Sequence, residues 1–124
     1  MQRDLTSNEA ETLAFLLAQS FPGVEALRAQ AGTAYVVRKC DCGCATIDLE
    51  VDAATPPATE VGEPVAVEAH GLPRSDGRPP PDLILFVRDG RLASLEIVSY
   101  SEDVFEAFPR TAEFEPPYAP PRGI

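Results

Sequence analysis

Apolar and polar residues alternate in step from Cys44 to Val51 (CATIDLEV), with Ala45, Ile47, Leu49 and Val51 on one side and Cys44, Thr46, Asp48 and Glu50 on the other. A period of two predicts a strand with one buried face. The preceding stretch, Thr33 to Cys40 (TAYVVRKC), is β-branched and aromatic and predicts its partner. A third strand is expected over Glu63 to His70, with Val65, Val67 and Ala69 inward and Ala66, Glu68 and His70 outward. Its Pro64 suits a strand start or a sheet edge, because proline gives no amide to a ladder. Leu83 to Val87 (LILFV) is apolar throughout, the pattern of a central strand covered on both faces. Asp89-Gly90 then predicts a tight hairpin into Leu92 to Tyr100.

Before the strands the period changes to that of a helix. Thr6-Ser7-Asn8-Glu9 fits a capping box, and Leu13, Leu16 and Leu17 share one stripe of a helix expected from about Ser7 to Gln19. Phe21-Pro22-Gly23 interrupts it, and a second helix runs from Pro22 to about Gln30, ended by Gly32. Two helices followed by five strands predict an α+β fold, in which an N-terminal helical hairpin packs on one face of a mainly antiparallel five-stranded sheet. The expected organisation is a single domain over residues 1–110 and a Pro-rich C-terminal tail over 111–124, extended or disordered.

Length and charge narrow the classes of function. A chain of 124 residues can bury a core without disulfide or metal staples, which leaves its three cysteines free for chemistry. The formal charge of −10 makes nucleic acid and anionic membranes poor partners and a basic protein a suitable one. No apolar run approaches a spanning helix, and the start MQRDLTSNEAE lacks the apolar core of a signal peptide. The expected location is therefore cytoplasmic, where thiols stay reduced. Phosphate-binding glycine loops, nucleophile motifs and paired metal-ligand motifs are missing from the sequence, so the reading is a non-enzymatic binding or interaction protein.

All three cysteines lie in Lys39-Cys40-Asp41-Cys42-Gly43-Cys44-Ala45. Gly43 fits the left-handed position of a three-residue hairpin loop, which would set Cys40 opposite Cys44, Val37 opposite Ile47 and Tyr35 opposite Leu49. Thiols gathered at such a tip could hold a transition metal, with zinc the natural choice, or form a Cys40–Cys44 disulfide and act as a redox sensor. Zinc asks for four ligands. The only histidine, His70, is the candidate fourth, with Asp41, water or a second protein as alternatives. His70 is also an ordinary strand-end residue unless the third strand brings it to the tip.

The Phe-Pro-Gly-x-Glu-x-Leu-Arg segment from Phe21 to Arg28, the Cys-x-Cys-Gly-Cys hairpin from Cys40 to Cys44 and the Phe-Val-Arg-Asp-Gly-Arg-Leu turn from Phe86 to Leu92 together resemble short uncharacterised bacterial proteins of high-GC genomes. The resemblance spans most of residues 5 to 100. It implies the domain boundaries and brings no activity, cofactor or site residue.

Overall fold

The computed structural model describes residues 2–121. The chain forms β1 (Arg3–Asp4), α1 (Ser7–Leu16), α2 (Val24–Ala31), β2 (Tyr35–Lys39), β3 (Ile47–Glu50), β4 (Val65–His70), β5 (Asp82–Arg88) and β6 (Arg91–Val98), then a short 3-10 turn at Thr111–Glu113. Among the described residues the strands make one antiparallel sheet in the order β1-β2-β3-β6-β5-β4. The fold is α+β as expected, with six strands in place of five. The additional one is β1, two residues paired to β2 through Arg3 with Val36 and Asp4 with Tyr35. Two residues are too few to show any alternation.

The helices follow from local chemistry. The Thr6 hydroxyl accepts the Glu9 amide at 3.2 Å while the Glu9 carboxylate accepts the Thr6 amide at 2.9 Å, completing the capping box. The other end of α1 is closed from α2, where the Arg28 guanidinium donates to the carbonyls of Leu17, Ala18 and Gln19. A cation there meets carbonyls that have no partner inside the helix and the negative end of its dipole. This fixes the helical hairpin as a unit, which lays Leu13, Leu16, Leu17, Val24 and Leu27 on one face of the sheet.

That face carries Val36, Ile47, Leu49, Val67, Ala69, Leu83, Leu85, Val87, Leu92, Leu95 and Ile97, all buried. The alternation read from Ala45 to Val51 holds residue by residue. On β5, however, only Leu83, Leu85 and Val87 are buried, while Ile84 and Phe86 are half-buried on the opposite face. The expectation of a strand covered on both sides is thus corrected, because α1 and α2 cover one side. The other side holds an open depression of about 790 Å³ lined in part by Val37, Phe86, Asp48, Glu50, Glu63 and Glu96.

Two further features position the ends of the sheet. At the β5–β6 turn Asp89 and Gly90 have φ of 52° and 74°, the pair of positive values an Asn-Gly or Asp-Gly hairpin needs. Gln30, fully buried on α2, donates to the Gly90 carbonyl at 2.8 Å and accepts the Leu92 amide at 3.0 Å. After the 3-10 turn the C-terminal segment is docked along the free edge of β4. Tyr118 and Glu68 exchange both backbone hydrogen bonds at 2.9 Å, Glu115 donates to the His70 carbonyl and Leu72 to that of Glu113. Covering an edge strand with its own chain removes a template for aggregation. Residues 122–124 of the expected tail lie outside the described residues.

Candidate metal centre

The cysteine tip is the loop between β2 and β3. Its geometry departs from the simple three-residue hairpin in two ways: the loop itself is longer, and β2 bulges at Val37, the ladder shifting between Val36 opposite Leu49 and Arg38 opposite Asp48. Val36 therefore points into the core, whereas Tyr35 and Val37 are half-buried; the expected pairs Tyr35–Leu49 and Val37–Ile47 are replaced. One extra residue on one strand moves every later partner by one. Beyond the last ladder pair the Cys40 amide donates to the Thr46 carbonyl at 3.0 Å, and Ala45 donates across to the Phe105 carbonyl at 2.7 Å. Cys40 and Cys44 are not a directly opposed strand pair. The loop between the last ladder contacts is five residues, 41–45.

Within this longer loop Gly43 keeps the left-handed conformation expected of it, with φ of 90°, and its amide closes onto the Cys40 carbonyl at 3.3 Å. The reversal at Gly43 folds the loop so that Cys40, Cys42 and Cys44 offer sulfurs all within 4.8 Å of one another. The Cys40 and Cys42 sulfurs are 2.8 Å apart, and the Cys44 amide donates to the Cys42 sulfur at 3.3 Å. In a continuous strand thiols at i and i+2 would stand about 6.5 Å apart along the backbone. All three cysteines are free, Cys42 exposed and the other two partly so.

The cluster distributes its protons unevenly. Burial opposes ionisation of Cys44, but hydrogen bonds from the Cys42 thiol and from Thr46 outweigh it and lower the thiol to about 7. Cys42 keeps its proton through hydrogen bonds to Cys40 and Cys44, which push it up to about 11. The first thiolate is therefore available near neutrality, and the next carries the cost of adding negative charge beside it. Since the Cys44 value is depressed, the thiolate is the form present above it. Alkylation of the metal-free protein with iodoacetamide should accordingly modify Cys44 first, with a rate that rises through a midpoint near pH 7. A common midpoint above pH 8.5 for all three thiols would contradict the hydrogen-bond pattern.

His70 lies elsewhere. It ends β4 on the far edge of the sheet, with β5 and β6 between it and β3, and it is not a member of the three-cysteine group. Both ring nitrogens are engaged, Nδ1 with Asp82 Oδ1 at 3.0 Å and Nε2 with the Tyr118 hydroxyl at 2.7 Å. Tyr118 gives its own proton to Glu68 at 2.9 Å, and Tyr100 gives its proton to the second oxygen of Asp82 at 2.6 Å. With a carboxylate on one side and a hydroxyl that already donates on the other, the ring satisfies both contacts only as imidazolium. The Asp82 hydrogen bond, with Glu68 and Glu115 adding to it, accordingly raises the His70 pKa above its ordinary 6.5. The sequence showed Glu68 and His70 on one face; nothing in it pointed to Asp82, Tyr100 or Tyr118 as their partners.

A raised folded-state value means that this contact stabilises the fold fully below the unfolded pKa, near 6.5, and is lost as pH rises through the folded value. With a single histidine in the chain, its ring resonances can be followed without assignment ambiguity. Their midpoint should lie above 6.5 and return toward that value in Asp82→Asn. An unchanged midpoint in the variant would rule out Asp82 as the cause.

Comparison with protein-family models, with curated proteins and with solved structures finds no match. The chemistry of the site therefore rests on its own residues. Three sulfurs within reach of one ion form a thiolate site able to hold a metal. Among the described residues no helix is long and apolar enough to cross a membrane.

Proposed function

We propose that the protein is a small binding protein whose β2–β3 tip holds one thiophilic metal ion through Cys40, Cys42 and Cys44. The observation that carries this reading is the mutual approach of all three sulfurs to within 4.8 Å. A cation in their midst takes the place of the protons, including the one that hydrogen bonds to Cys40 and Cys44 hold on Cys42. Zinc, the ion the sequence suggests, fits three thiolates and keeps its fourth position for water or a donor from another molecule. Metal analysis of untagged protein purified under reducing conditions, followed by cobalt substitution, tests the reading. It predicts close to one ion per chain and a thiolate-to-cobalt absorption band; sub-stoichiometric metal without that band would end it.

The 2.8 Å approach of Cys40 and Cys42 supports a competing use of the same thiols, oxidation to a disulfide by a cytosolic oxidant, which would empty the site. Docking of a basic protein is a second reading. The open face of the sheet supports it, with four carboxylates, Asp48, Glu50, Glu63 and Glu96, against two cations, Arg88 and Arg91, around a floor that includes Val37 and Phe86. Such docking should weaken steeply with salt. Recovery of no basic partner at low ionic strength would count against it.

A further inference from the structure

Resting on the three-thiolate reading, we propose that the ion this tip selects is monovalent copper, Cu(I), bound by the three sulfurs alone in a three-coordinate arrangement, with zinc held less tightly. Among the described residues the group able to close on one ion is Cys40, Cys42 and Cys44, with no histidine or carboxylate joining it. His70 is committed to Asp82 and Tyr118 across the sheet, and Asp41, although inside the loop, lies outside the group.

Zinc in protein sites is four-coordinate, so three sulfurs leave it dependent on a water molecule or an outside ligand. Cu(I) is soft and is satisfied by three thiolates, so the set that is one short for zinc is complete for Cu(I). The kind of donor points the same way. Every donor is sulfur, and a mixed set containing imidazole or carboxylate would instead have favoured a harder divalent ion.

The part of the loop that carries Cys42 is open, while Cys44 packs against the core and anchors the other end. A Cβ placed on Gly43 would meet nothing within 4 Å, so the reversal that carries Cys42 stands clear of the rest of the protein. Binding displaces to solvent whichever protons the three thiols still carry and changes no oxidation state, leaving two net negative charges on polarisable sulfur at an exposed tip where water screens them.

The test uses the full reduced chain under nitrogen, with Cu(I) supplied as its acetonitrile complex against a chromophoric Cu(I) chelator, and with zinc added afterwards. The account expects one equivalent of Cu(I), three sulfur neighbours and no nitrogen or oxygen neighbour by X-ray absorption, and retention of Cu(I) against a roughly tenfold excess of zinc. Displacement of Cu(I) by that zinc, or a copper site with two sulfurs, would overturn the proposal while leaving a thiolate metal site in place. Binding of neither ion would remove both the proposal and the reading it rests on. Cys40→Ser with unchanged circular dichroism should yield Cu(I) to the chelator at a lower chelator concentration than the parent, and equal retention against the chelator in that variant would also overturn the three-sulfur site.

Discussion

Replacing Cys42 by serine should lower the affinity for Cu(I) or zinc by at least about a hundredfold, since loss of even a supporting contact to a metal ligand costs 10- to 100-fold and Cys42 is itself a ligand. Its sulfur sits between the others, 2.8 Å from that of Cys40 and 3.3 Å from the Cys44 amide. A serine hydroxyl there is hard, poorly ionised at neutral pH and shorter in reach. The remaining two sulfurs would hold an ion only as a weak chelate. Because Cys42 is exposed and outside the core, the thermal midpoint of the metal-free protein should barely move. Isothermal competition against a chelator measures the loss; an affinity within a factor of about three of the parent would show that the central cysteine is not a ligand.

Gln30→Leu should destabilise the fold by about 2 kcal/mol although it keeps the side-chain volume. Gln30 is fully buried, and its side-chain amide ties α2 to the β5–β6 turn by serving the Gly90 carbonyl and the Leu92 amide. It also reaches the Pro56 carbonyl at 3.2 Å. Leucine fills the space but leaves the buried Leu92 amide without its partner, while the Gly90 carbonyl keeps the Ala58 amide at 2.8 Å; an unsatisfied buried group costs about 1–3 kcal/mol. Urea unfolding should show a lower midpoint with an unchanged slope. A loss below about 1 kcal/mol would mean that the turn finds another partner.

What the sequence made legible was local. The capping box at Thr6–Glu9, the alternation of Ala45, Ile47, Leu49 and Val51, the Asp89-Gly90 turn and the left-handed Gly43 are each set by neighbours within a few positions, and each stands as expected. The bulge at Val37 was hidden because Tyr35, Val36 and Val37 are all apolar, so a period of two cannot say which one faces inward. The docking of the C-terminal segment was hidden by composition, since prolines conceal the bridge that Tyr118 makes with Glu68.

The separation of His70 from the cysteines follows from strand order. Placing β6 and β5 between β3 and β4 is a choice of topology, made by which long-range pairs pack together and not by any residue near His70. A four-ligand site was plausible from residue types alone. The three-ligand site depends on the sheet.

The central claim is that one ion engages all three thiols together, and counting reactive thiols in the metal-free and metal-loaded protein tests it most directly. With a chromogenic disulfide reagent, the reduced apo-protein should release three equivalents, matching its three free cysteines. After one equivalent of Cu(I) or zinc, all three should react together and slowly, at the rate at which the ion is lost. Rapid reaction of even one thiol at full loading would contradict the account.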